Sequence, residues 1–292
     1  MAAPPLRVDH VSIAVGAIEP ALALFRRVLP IRMNVEPRAG YDDQFLWTDF
    51  LVGDFKIELI ESARPGSFVE RFVAGRGEGF HHLSIDVTDG DLDRWMVELE
   101  AAGLRIVDRG DFGDAKTAFI SPRSTPGILV QFWQTGFHDG QPAERRVVER
   151  DGVRFEVNHL SVAVRSIDAT LTWFQRFFPV ELRRPKHRGW DGSFRLASFW
   201  LAGYKIELVE PAREDTAIAR FLAERGEGFH HLAVHVDRID PLLERLRDDG
   251  IRIIGEAAIG GGRKTAFIHP RDAHGILLQF WQEPGLGDAR GT

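Results

Sequence analysis

Two histidines, a glutamate and a glutamine recur at matched positions along this chain: His10, Glu58, His82 and Gln131, then His159, Glu207, His231 and Gln279. Two imidazoles and a carboxylate form a donor set that holds a divalent first-row ion while leaving coordination positions open for a substrate. A glutamine amide oxygen adds a fourth, weaker donor. Such a centre polarises a carbonyl as a Lewis acid, and a carboxylate at hand, Glu58 or Glu207, then moves the proton that becomes labile. Fe2+, Co2+, Mn2+, Ni2+ and Zn2+ all suit these donors.

The positions repeat because the chain repeats. GEGFHHLSIDV at 77–87 returns as GEGFHHLAVHV at 226–236, and KIELIE at 56–61 returns as KIELVE at 205–210, an offset of 149 residues. That period is too long for a solenoid and marks a duplicated domain. The reading places one domain at 7–134, a polar linker at 135–155, a second domain at 156–282 and a tail at 283–292.

Each copy divides again. VDHVSIAV (8–15) parallels FHHLSIDV (80–87), and a helical apolar face follows each: Ile18, Leu22, Phe25 and Leu29 after the first, Leu92, Trp95, Met96 and Leu99 after the second. Three short strand-like runs follow each helix. The expected fold is therefore α+β, with four βαβββ units paired into two tandem domains whose curved sheets surround a groove.

Strand parity then gives the histidines their direction. Side chains alternate between faces with a period of two, so Val11, Ile13 and Val15 point to the helix while His10, Ser12 and Ala14 point away. By the same rule Glu58 opposes Ile57 and Leu59, and Gln131 opposes Val130 and Phe132. Within each His-His pair the internal repeat selects the second member, His82 and His231, and leaves His81 and His230 to face the helix side or to neighbour the site.

Composition narrows the function classes. A net charge of −6 argues against a nucleic-acid surface, and no apolar run approaches the length of a membrane span. The absence of cysteine excludes disulfides, thiolate metal sites and a cysteine nucleophile, and suits a cytoplasmic protein. The N-terminus shows no signal-peptide pattern. The expected partner is a small anionic molecule, with no nucleic acid or membrane, in a monomer or a homodimer.

DHVSIAV, KIELIE, RGEGFHHLSIDV and KTAFISPRSTPGILVQFWQ, with their second-half counterparts, resemble the vicinal oxygen chelate superfamily, which includes glyoxalases, bleomycin-resistance proteins and extradiol dioxygenases. Each half is most similar to methylmalonyl-CoA epimerase. The resemblance implies that the eight residues above lie on the ligand strands. It also implies a second catalytic carboxylate between the first helix and the second ligand strand, where Glu36, Asp42, Asp43, Asp49 and Asp191 stand. One departure is plain: the epimerase pattern carries glutamine on the second ligand strand and glutamate on the last, whereas this chain carries Glu58 and Glu207 on the second, Gln131 and Gln279 on the last.

Three functions follow as expectations. The first is a proton-transfer isomerase, epimerase or lyase that binds a small carbonyl acid or thioester through adjacent oxygens. The second is a non-haem Fe(II) dioxygenase, and the third a small-molecule binding or resistance protein. Lys116 and Lys264, before the TAFI strands, are further candidates for contact with an anionic substrate tail, although a solvated turn lysine is the commoner reading of such positions.

Overall fold

A computed structural model of the chain describes residues 3–135 and 146–285. The first half runs β1 (Leu6–Ala14), α1 (Ile18–Val28), β2 (Arg32–Ala39), β3 (Phe45–Val52), β4 (Phe55–Ser62), α2 (Phe68–Arg76), β5 (Gly79–Val87), α3 (Leu92–Ala101), β6 (Ile106–Asp111), β7 (Ala115–Ile120) and β8 (Leu129–Thr135). The second half repeats this as β10 (Val153–Ala163), α4 (Ile167–Phe177), β11 (Val180–Arg188), β12 (Phe194–Leu201), β13 (Tyr204–Pro211), α5 (Ala217–Arg225), β14 (Gly228–Val236), α6 (Ile239–Asp248), β15 (Ile253–Gly260), β16 (Arg263–Ile268) and β17 (Leu277–Gln282). The four βαβββ units are all present. A short strand, β9 (Val148–Arg150), pairs antiparallel with the start of β10, so the stretch read as linker contains paired backbone at its C-terminal end. Residues 136–145 of that stretch and 286–292 of the tail lie outside the described residues.

Each half forms one open sheet. The orders are β2-β3-β4-β1-β5-β8-β7-β6 and β11-β12-β13-β10-β14-β17-β16-β15. Strands that open successive units, β1 with β5 and β10 with β14, therefore meet at the middle of each sheet. The last strand of each unit flanks them: β4 beside β1, β8 beside β5, β13 beside β10 and β17 beside β14. Sequence-distant ligand candidates are thus brought onto four adjacent strands.

A recurring contact fixes each long helix to its ligand strand. The first helical N–H groups lack intrahelical acceptors. Ile18 of α1 donates to Glu61 (2.7 Å), Leu92 of α3 to Gln134 (3.1 Å), Ile167 of α4 to Glu210 (2.8 Å) and Ile239 of α6 to Gln282 (2.8 Å). Each acceptor stands three residues after Glu58, Gln131, Glu207 or Gln279. An odd spacing on a strand puts two side chains on opposite faces, so one strand offers a polar group to the groove and a cap to the helix behind it.

The helices α2 and α5 were not anticipated. They lie against the polar-facing side of the sheets, where Ala14 and Ile60 pack with Val69, and Ala163 and Val209 pack with Ile218 and Leu222. This explains why Ala14, assigned by parity to the open face, is fully buried.

By contacts, the described chain divides into two compact units. One gathers residues 3–10, 82–135 and 159–230, the other 11–81, 146–158 and 231–285. Inside the first, Trp95 of α3 packs edge-on to Phe132 (4.5 Å between ring centres) and to Phe178 (6.2 Å), which follows α4. Inside the second, Arg245 of α6 donates to the carbonyl of Arg27 in α1 (2.8 Å), and Arg27 returns a bond to the carbonyl of Asp249. Among the described residues, no helix is long and apolar enough to cross a membrane.

Candidate metal centres

The donors converge in both halves. One donor atom from each of His10, Glu58 and His82 lies within 4.8 Å of the other two, and His159, Glu207 and His231 repeat the arrangement. His10 Nε2 is 3.3 Å from His82 Nε2, and His159 Nε2 is 3.4 Å from Glu207 Oε1. Ligands about 2.1 Å from a common ion sit roughly 3.0 Å apart at octahedral and 3.4 Å apart at tetrahedral angles. The observed separations match, and the donor types suit a divalent ion, so the residues present fit such a group. His82 and His231 are each only 5% exposed.

The two glutamines stand beside these groups with their amides oriented. Gln131 is the register partner of Ser84 on β5, and Gln279 that of Ala233 on β14. Gln131 donates its amide nitrogen to the Thr117 hydroxyl (3.2 Å), which donates to the Phe132 carbonyl (3.0 Å). Gln279 repeats this with Thr265 (3.0 Å) and the Phe280 carbonyl (3.3 Å). With nitrogen committed to threonine, the carbonyl oxygen is the atom left to accept or to ligate. Thr117 and Thr265 escaped the sequence reading, although each sits in the repeated KTAFI run two strands from a histidine.

Charged groups behind His10 also escaped it. His10 Nδ1 donates to Asp9 (2.6 Å), and Arg7 bonds Asp86 (2.6 Å) with Asp9 3.9 Å away. Parity puts Asp9 on the opposite face from His10, yet its carboxylate reaches the ring of its chain neighbour. Asp9 accepts from Nδ1, and the ring's other nitrogen, Nε2, faces His82.

Among the suggested second carboxylates, Asp49 is the one beside the group. It pairs directly with Glu58 across β3 and β4 and is 4% exposed. Glu36 is exposed on β2, and Asp43 is exposed in a 3₁₀ turn. Asp191 accepts from the Ser193 amide and hydroxyl (2.8 Å each) in a turn. The Asp42 side chain lies outside what is described.

His81 and His230 line the neighbourhood. His81 packs edge-on to Phe72 (4.8 Å) and near Phe68, and His230 packs on Phe221 (5.0 Å). Burial pushes both imidazoles down to about 4, against the opposing pull of Glu58 and Glu207 respectively. The lysines are spoken for: Lys116 bonds Asp93, and Lys264 bonds Asp240 (2.6 Å), on the first turns of α3 and α6. Those pairs hold the lysines at the helix starts. Trp133 stacks on Phe112 (6.0 Å), and Trp281 donates to Glu283 (3.1 Å).

The chain is similar to known proteins in sequence and in fold. A family model described as the Glyoxalase/Bleomycin resistance protein/Dioxygenase superfamily matches residues 9–120 and again 158–267. The ethylmalonyl-CoA/methylmalonyl-CoA epimerase of Cereibacter sphaeroides is 31% identical over 130 residues, 43% of this chain and 96% of the relative. The mitochondrial methylmalonyl-CoA epimerase of Bos taurus is 31% identical over 129 residues, 43% of this chain and 73% of its own length. A mutant of 4-hydroxymandelate synthase from Streptomyces coelicolor superposes with a TM-score of 0.64 at 17% identity, covering 99% of this chain and 95% of that one. At that identity the likeness is one of fold.

Proposed function

Because the chain belongs to the Glyoxalase/Bleomycin resistance protein/Dioxygenase superfamily, we propose that it is a metal-dependent enzyme that moves a proton on a small carbonyl acid or its thioester. The observation that carries this reading is the pair of His-Glu-His groups, each gathered within 4.8 Å. Under it, His10, Glu58, His82 and Gln131 hold one divalent cation, and His159, Glu207, His231 and Gln279 hold another. A bound cation supplies Lewis-acid polarisation of a substrate carbonyl, which acidifies the adjoining C–H.

The chain's own work is on the proton. Glu58 or Glu207 takes it from the carbon beside the carbonyl and gives it back. Return to the other face of the same carbon inverts that centre; return to a neighbouring atom relocates a double bond. Asp49, opposite Glu58, is a second proton holder in the first half. Thr117 and Thr265 keep the glutamine amides from rotating their nitrogens toward the ion. The epimerase names of the relatives favour a thioester as the substrate class. The lack of cysteine agrees with a cytoplasmic setting.

The test is proton exchange. Protein loaded with Mn2+ or Co2+ and incubated with methylmalonyl-CoA in D2O should wash out the α-proton signal in NMR. Glu58→Gln combined with Glu207→Gln should slow this by roughly 100-fold or more. A protein that retains no cation and exchanges no proton on methylmalonyl-CoA or a free 2-oxo acid would refute the proposal. Two histidines and one carboxylate are also the facial set of Fe(II) oxygenases, so oxygen uptake by the Fe2+-loaded protein with a catechol or a 2-oxo acid would favour a dioxygenase instead.

A further inference from the structure

The two centres differ in what stands behind their ligands. Asp9, which accepts a hydrogen bond from His10 Nδ1 at 2.6 Å, is replaced in the second half by Asn158. Asp49, register partner of Glu58, is replaced by Ser198, register partner of Glu207. Asp86, which anchors Arg7 beside Asp9, is replaced by His235. Each exchange removes a carboxylate from the second half while the ligand candidates themselves are retained. Resting on the metal reading above, we infer that the centres are unequal: the first half is the tight divalent-cation site and the second the weak one, with Asp9 as the positioning residue that sets most of the difference.

The physical basis is twofold. A carboxylate hydrogen-bonded to the far nitrogen of a ligating histidine fixes the tautomer and ring orientation and makes the near nitrogen a better donor; removal of such a partner typically costs about 10- to 100-fold in metal affinity. An amide can accept a hydrogen bond but brings no charge. Asp49 puts a second carboxyl group opposite Glu58, and the number of acidic groups around a hard or borderline cation tunes its dissociation constant. Both differences favour the same half.

Mn2+ is a suitable probe because its free aqua ion is counted by EPR. His231→Ala leaves the first centre, and His82→Ala leaves the second. The first variant should bind Mn2+ about 10- to 100-fold more tightly than the second. Asp9→Asn in the His231→Ala background should erase most of that advantage, and Asn158→Asp in the His82→Ala background should restore it. The Co2+ visible spectrum of the first centre should change in Asp9→Asn while the metal-free unfolding midpoint stays put, which a purely structural aspartate would not produce. If Asp9→Asn does not fold, the other three proteins still decide. Equal affinity in the two single-centre variants, or no gain from Asn158→Asp, overturns the inference and leaves the metal reading standing. A wild-type chain that binds no Mn2+ sinks both.

Discussion

Gly127 and Gly275 stand where a side chain has no room. Their φ angles are 74° and 77°, and a Cβ would fall 1.9 Å from the Glu227 carbonyl oxygen and 1.7 Å from that of Glu78. Gly127→Ala should therefore destabilise by more than the roughly 1–3 kcal/mol that left-handed backbone strain alone costs. Gly103→Ala is the control: φ is 98° there but nothing lies within 4 Å, so it reports the backbone part by itself. Urea midpoints for the two variants would separate the terms, and equal losses would remove the steric argument. His81 and His230 carry a second prediction. Their folded pKa values near 4 lie below the ordinary 6.5, so the unfolded chain binds protons that the folded chain refuses. Their full contribution is present above about pH 6.5 and is lost as pH falls toward 4, by about 1.4 kcal/mol per unit of difference for each ring. Unfolding free energies at pH 7 and pH 5 should show the drop, and His81→Gln with His230→Gln should flatten it. At this scale the ligand candidates were legible because type, spacing and parity all repeat. Asp9 was not, since strict alternation assigns it to the opposite face and a contact between adjacent side chains of one strand overrides that.

At the scale of the element, the caps connect the helices to the chemistry. Glu61→Ala removes the acceptor for the Ile18 amide at the start of α1 and should cost about 1 kcal/mol, the usual value of a lost N-terminal cap. Since Glu61 shares β4 with Glu58, the same substitution should weaken Mn2+ binding in the first half more than in the second, as read in the single-centre variants. An equal effect on both would show that the cap matters only for stability. Among the long helices α1 and α3 are readable from their apolar stripes, and α4 and α6 follow by the repeat, whereas α2 and α5 are not read. The signal for α2 was present: Ser67 accepts from the Glu70 amide (3.0 Å), and Glu70 reaches back to the amide of Gly66, a serine-to-glutamate pairing at capping-box spacing. Phe68, Val69, Phe72 and Val73 also follow helical spacing. A nine-residue helix between two strong strand patterns is easily absorbed into a loop when strand runs are sought first. Likewise the strand that opens the second half begins at Val153, three residues before the boundary drawn from the repeat, because β9 gives it an additional partner.

For the whole molecule, the sheets follow the chain while the compact units cut across it. Trp95 and Phe132, from the first half, meet Phe178 and the Trp173 that packs on it (5.7 Å), from the second. A fragment ending at residue 135 would expose that aromatic surface. It should self-associate or precipitate, whereas the full chain stays a single species in size-exclusion chromatography; a monomeric, well-folded fragment would contradict the packing. The tandem domains were legible from the repeat, but this crosswise division was not, because a repeat reports which segments are alike and says nothing about which segments touch. Fusion also has an evolutionary corollary. In an assembly of two identical subunits, every substitution is inherited at both centres at once. Here an aspartate at residue 9 and an asparagine at residue 158 are encoded separately, so one lobe is free to drift toward a new ligand while its twin preserves the ancestral task.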